Sequence, residues 1–178
     1  YAALCQENDI VPIVEPEVLI DGDHDLGRSF EVTQHAQHTV FAALADQDVD
    51  LRGIVLKPSM VISGAGAADR AGIKEVAQET LRCLLSTVPA AVPGIAFLSG
   101  GQSDEEATQH LNAMNEIGGS LPWAVTFSYG RALQAAAMKR WAGHSDNVES
   151  ARQVAFHRAQ MNGAAALGQY SSEMEKAA

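Results

Sequence analysis

Four alternations of a short apolar strand with a longer amphipathic helix predict an α/β fold, a parallel sheet covered by helices. Residues with chemistry to offer (Glu15, Lys57, Ser99, Ser128) each stand just past the C-terminal end of a predicted strand. That rim is where a (β/α)8 TIM barrel carries its site. A closed barrel needs eight such units, typically about 250 residues, whereas these 178 residues hold four. The chain therefore reads as about the last four βα units of a TIM barrel, the C-terminal half of a longer molecule. A four-unit open sheet standing alone is the alternative, and it would leave two raw edges. The opening Tyr1-Ala2-Ala3-Leu4-Cys5-Gln6-Glu7-Asn8 has no initiator Met and reads as the end of a helix already under way, which favours the half-barrel.

The first strand is Ile10-Val11-Pro12-Ile13-Val14, β-branched and apolar, ending on Glu15. After a turn at Asp21-Gly22-Asp23-His24-Asp25, residues Ser29 to Ala45 carry Phe30, Val40, Phe41 and Leu44 at helical spacing. The second strand runs from Gly53 to Lys57 and is stopped by Pro58. A Gly/Ala-rich loop, Ser63 to Ala68, leads to a helix from Ile73 to Ser86, with Ala77, Leu81 and Leu85 on one stripe and Val76 and Leu84 flanking it. Val92 to Leu98 is the third strand. Ser103-Asp104-Glu105-Glu106 then gives a capping box for a helix that buries Ala107, Leu111 and Met114. Trp123 to Phe127 is the fourth strand, followed by a helix to Arg140 and a last one from Asn147 to Met161. Residues 1–170 form one unit and 171–178 a polar tail.

Composition excludes several function classes. Lys+Arg total 12 against 22 Asp+Glu, a formal net charge of −10, so the chain lacks the basic face that nucleic-acid binding requires. No apolar run approaches the roughly 18–20 residues of a membrane span. Cys5 and Cys83 lie far apart, show no zinc spacing and read as reduced, buried thiols. His35 and His38 are three residues apart on a helix, but no third ligand is placed with them. Asp21 to Asp25 lacks the twelve-residue spacing and terminal Glu of a calcium loop. Trp123 and Trp141 read as packing residues, and no metal or cofactor is implied.

The chemistry concentrates in four blocks. Lys57 directly follows Ile54-Val55-Leu56, so few waters hydrate its ammonium; desolvation disfavours the charged form, and the neutral amine is the nucleophile. Glu15 and Glu17 flank Pro16, and neighbouring carboxylates repel when both are ionised, which keeps a proton available for transfer. Ser99-Gly100-Gly101 lies between a strand and a helix, where glycine lets backbone N–H groups close on an anion and the helix N-terminus favours negative charge. Ser128, Gly130 and Arg131 repeat that logic on the next strand, with a guanidinium for phosphate oxygens. Any phosphorylated ligand must be held by such a local site, against the field of an acidic chain.

These blocks, in this order, resemble the class I (Schiff-base) fructose-1,6-bisphosphate aldolases, from Asn8-Asp9-Ile10-Val11-Pro12 to Ala166-Leu167-Gly168-Gln169-Tyr170. The resemblance implies a lyase that reversibly cleaves fructose 1,6-bisphosphate to dihydroxyacetone phosphate and glyceraldehyde 3-phosphate, in glycolysis, gluconeogenesis or carbon fixation. It makes Lys57 the Schiff-base lysine, Glu15 the acid/base group with Glu17 tuning it, and Ser99, Gly100, Gly101, Ser128, Gly130 and Arg131 the phosphate ligands. It further implies a homotetramer in the cytoplasm or plastid. A transaldolase-like Schiff-base lyase and a non-catalytic scaffold are the alternatives. Relatives place further catalytic residues in their N-terminal half, and some animal members end on a proton-transferring tyrosine, whereas this chain ends Lys176-Ala177-Ala178. Ser59 stands where many relatives carry Asn; plastid-type plant members often have Ser.

Overall fold

In the computed structural model, residues 1–177 are described; Ala178, the end of the predicted tail, lies outside the described residues. A single turn of helix, α1 (Ala2–Gln6), precedes β1 (Ile13–Val14) and α2 (Leu26–Asp46). Then follow β2 (Val55–Leu56), α3 (Ile73–Thr87), β3 (Gly94–Phe97), α4 (Asp104–Ile117), β4 (Ala124–Phe127), α5 (Arg131–Trp141) and α6 (Val148–Ala165). The sheet runs β1-β2-β3-β4 and every neighbouring pair is parallel. That is the strand-helix order read from the sequence, with β1 and β4 as open edges. Beside the β1 edge, Ile10, Val11 and Ile13 stay exposed.

The strands are shorter than their apolar runs, for a reason written in prolines. Pro12 and Pro16 bracket β1, Pro58 closes β2 and Pro93 precedes β3, and none can donate to a ladder. The ladder nevertheless reaches past the assigned ends. Val55 N–H donates to Pro12 O (3.0 Å), Lys57 N–H to Val14 O (2.7 Å), Leu98 N–H to Pro58 O (3.2 Å) and Ser128 N–H to Phe97 O (2.8 Å). Those bonds fix the rim on which the chemical residues stand.

Leu56, Ile95 and Phe97 from the sheet and Ile54, just ahead of β2, meet Leu84, Leu111 and Met114 from the helices in one core, and each is at most 1% exposed. Full burial of such a side chain contributes about 1.5–3 kcal/mol. Half of the capping box forms: Ser103 Oγ accepts from Glu106 N–H at 3.2 Å, while the Glu106 carboxylate pairs with Arg70 at 2.9 Å instead of turning back to Ser103. Ala107, Leu111 and Met114 are buried as read.

Three sequence expectations are corrected. The buried face of α2 is largely polar, Ser29, Thr33 and Gln37 with Leu44. These groups serve neighbours, Ser29 Oγ accepting from Ile62 N–H (3.1 Å) and Gln37 accepting from the Thr87 hydroxyl. Phe30 instead lies half-buried beneath the Arg82 guanidinium, 3.8 Å from its ring centroid, and the helix starts at Leu26 because Asp25 caps it through Arg28 N–H (2.7 Å). On α3 the buried stripe centres on Val76, Thr80 and Leu84; Leu85, about 100° further round, is 58% exposed. Trp123 packs and donates Nε1–H to Pro89 O (3.0 Å), but Trp141 is exposed. It lines an apolar groove of about 680 Å³ between α5 and α6.

Cys83 is buried and its thiol pushed up to about 11 by that burial; Cys5 is half-buried, and both are free. Among the described residues no helix is long and apolar enough to cross a membrane, and His35 and His38 belong to no metal-binding cluster. The segment 172–177 forms a 3-10 turn fastened by Glu175. Its carboxylate accepts two bonds from Arg158 Nη1 (2.7 Å each) and one from the Tyr170 hydroxyl (3.0 Å), and lies 2.8 Å from His157 Nε2.

Candidate active site

The register of the sheet assembles the site. Val14 pairs with Leu56, so the next residues, Glu15 and Lys57, emerge side by side at the rim. Lys57 Nζ lies 3.0 Å from Glu15 Oε1, with the lysine side chain 20% exposed and the glutamate 43%. A shielded amine thus touches one carboxylate that can give or take its proton. Glu17 is exposed and makes no hydrogen bond or ion pair among the described residues; it is not drawn onto Lys57.

Beyond β3, Ser99 is buried, and Gly100 and Gly101 take φ of +53° and +83°. Gln102 N–H donates back to Ser99 O at 3.0 Å, which closes a turn with two left-handed residues, a conformation glycine adopts without the penalty a Cβ brings. The Gly100 and Gly101 amides donate to nothing else among the described residues, so they are available to an anion. Arg131, first residue of α5, aims at this turn: its Nη2 lies 4.0 Å from where a Cβ on Gly101 would sit. Gly130 N-caps α5, and its carbonyl accepts from Leu133 and Gln134. The Ser128 amide is committed to the ladder, which leaves its hydroxyl as the group it can offer.

Cross-loop contacts that no local pattern announces hold these pieces together. Ser59 Oγ accepts from Val18 N–H (2.8 Å) and donates to Val18 O (3.1 Å), tying the loop after Glu15 to the segment after Lys57. The loop at Gly64–Gly66 is zipped to Ile20–His24 by three backbone bonds of 2.8 Å. A Cβ on Gly64 would fall 2.4 Å from Gly22 O, so only glycine permits that approach. Ile20 in turn reaches the Gly100–Gly101 turn, 3.0 Å from a Cβ built on Gly101. Ser59, which the sequence marks only as a departure from relatives, and Gln102, to which it gives no role, are both polar, follow a chemical motif directly and are buried. The α5/α6 groove is apolar, lined by Leu133, Met138, Trp141 and Ala155 with Gln134 and Arg152, and pairs no amine with a carboxylate.

Comparison with known proteins gives a consistent picture. The family model described as fructose-bisphosphate aldolase class-I matches residues 1–178. The chain is 54% identical over 171 residues to a probable fructose-bisphosphate aldolase class 1 of Xanthomonas campestris, covering 96% of this chain and 51% of that protein. It is 47% identical over 175 residues to the cytosolic fructose-bisphosphate aldolase 4 of Arabidopsis thaliana, covering 98% and 44%. The structure of fructose-bisphosphate aldolase from Plasmodium falciparum, solved with TRAP and a small-molecule inhibitor, superposes with a TM-score of 0.94 at 48% identity, covering 97% of this chain and 49% of that one. The chain thus spans about half the length of the relatives it matches, and its fold is that of the corresponding half.

Proposed function

The chain belongs to the class-I fructose-bisphosphate aldolase family, and from that premise we propose that it carries the imine-forming half of a lyase that reversibly cleaves fructose 1,6-bisphosphate. The observation that carries the reading is the 3.0 Å contact between Lys57 Nζ and Glu15 Oε1 on a rim shared with the Ser99-Gly100-Gly101 turn. Glu15 takes the ammonium proton, and the amine of Lys57 adds to the ketone carbon of the substrate. Glu15 returns a proton to the carbinolamine oxygen, which leaves as water. The iminium then accepts the electron pair of the carbon–carbon bond as that bond breaks, leaving an enamine on Lys57. The hydroxyl next to the breaking bond gives its proton to a base that the resemblance places in the N-terminal half, and becomes the aldehyde carbonyl. The ketose phosphate sits on the Gly100 and Gly101 amides, with Arg131, Ser99, the Ser128 hydroxyl and Gly130 around it. Glu17, exposed two residues beyond Glu15, tunes Glu15 through its negative charge. The whole protein works as a homotetramer in the cytoplasm or plastid.

Incubation with dihydroxyacetone phosphate and borohydride tests this. The expected product is one reduced adduct, mapped to Lys57 and not to Lys74, Lys139 or Lys176. It is lost in Lys57→Met and unchanged by chelator. An adduct spread over the other lysines, or none at all, refutes it.

A further inference from the structure

The anion turn poses a mechanical problem. Two consecutive glycines lose more backbone entropy on being fixed than any other pair of residues, and neither offers a side chain to pack. The left-handed pair resembles the turn that tight hairpins use, yet here it joins a strand to a helix, so no partner strand imposes its shape. The first side chain able to hold it belongs to Gln102, which is 7% exposed.

That side chain points inward. Gln102 Oε1 lies 2.6 Å from His110 Nδ1, and Gln102 Nε2 contacts Met60 Sδ at 3.5 Å. His110 is 1% exposed and sits on α4, the helix the turn leads into. The contact thus closes a ring from turn to helix and back, and the Met60 contact reaches the segment three residues after Lys57. An amide oxygen can only accept, so His110 Nδ1 carries the hydrogen and Nε2 holds the lone pair. Nε2 is buried without a partner among the described residues. A second proton there would have no acceptor, and burial, with the nearby Arg70 charge, pushes His110 down to about 4. The pair is therefore a neutral, fixed strut and not a proton carrier.

We infer that Gln102 and His110 are positioning residues for the phosphate, bracing the Ser99-Gly100-Gly101 turn at a set distance from the Lys57–Met60 segment. The inference rests on the proposed imine chemistry, and the test separates the two. Borohydride-trapped adduct at Lys57 is measured against concentration for dihydroxyacetone phosphate and for dihydroxyacetone, which lacks the phosphate. Inorganic phosphate is titrated as a competitor.

His110→Phe keeps the ring and removes the donor. It should raise the half-saturating concentrations of dihydroxyacetone phosphate and of competing phosphate about tenfold, the loss expected of one buried hydrogen bond, with dihydroxyacetone trapping within about twofold of wild type. His110→Asn, whose amide N–H can replace Nδ1–H, should recover most of the phosphate dependence. Gln102→Met removes the same bond from the other side and should match His110→Phe, should the latter fold poorly. If the variants keep the wild-type preference for the phosphorylated ketone, lose both ketones together, or if Asn behaves like Phe, the bracing role is wrong. If wild type traps neither ketone, the imine reading fails, and the inference with it.

Discussion

Lowering the pH from 7 to 5 offers His110 a proton that the unfolded chain accepts and the folded chain refuses. In the unfolded chain the imidazole titrates at its ordinary value of about 6.5; in the fold burial and Arg70 push it to about 4. Arg70 is itself paired with Glu106 at 2.9 Å, and no acceptor waits at Nε2. With the folded value depressed, this stability is fully present above pH 6.5 and is lost progressively down to about pH 4. Linkage gives a loss of about 2 kcal/mol by pH 5 and roughly 3 kcal/mol by pH 4. With a urea slope near 2 kcal/mol/M, the unfolding midpoint should fall by about 1 M between pH 7 and pH 5. The assay is urea unfolding at pH 7, 6 and 5 for wild type and for His110→Asn, whose amide does not titrate. Terms common to both proteins cancel in the difference. The Glu175 carboxylate acts in a lower window. Burial alone would raise it, but bonds from Arg158 and His157 prevail and hold it below the usual range, so its contribution is lost only as pH falls past the usual carboxylate value. Midpoints falling in parallel for the two proteins would show that His110 takes its proton in the folded state, and the strut argument would go with it.

Glu15→Gln removes the proton carrier and leaves the volume, so trapping at Lys57 should slow by about 100-fold or more while phosphate competition stays as in wild type; an unchanged rate would remove Glu15 from the chemistry. Gly64→Ala drives a Cβ into Gly22 O and should cost about 1–3 kcal/mol in urea unfolding. Gly163→Ala, on α6 with nothing within 4 Å, should stabilise by about 0.5–1 kcal/mol. Glu175→Gln takes the carboxylate from the buried Arg158 guanidinium (5% exposed), which keeps Asp104 O and Thr108 Oγ1 as acceptors, and should cost about 3 kcal/mol, read as a lower melting temperature and as new proteolytic cleavage in 172–177. Equal stability to wild type would mean that water already serves that arginine.

What the sequence determined by itself was local and directional. Prolines at positions 12, 16, 58 and 93 bracket the strands because a residue without N–H cannot extend a ladder. Ser103 with Glu106 opens a helix because the first amides of a helix need an acceptor. Since every unit is parallel, Glu15, Lys57, Ser99 and Ser128 had to reach the same rim, and their order sufficed to reveal the family. Tertiary structure decided everything that depends on which loop lies over which. The register set Glu15 against Lys57 and left Glu17 in solvent, and a ladder bond withdrew the Ser128 amide from any anion. Burial of Ser29, Thr33 and Gln37, exposure of Leu85 and Trp141, and the Ser59–Val18 and Gln102–His110 bonds carry no periodic signature. A side chain's partner across 41 residues of chain, as between Ser59 and Val18, is chosen by the packing of whole elements, and no local spacing encodes that.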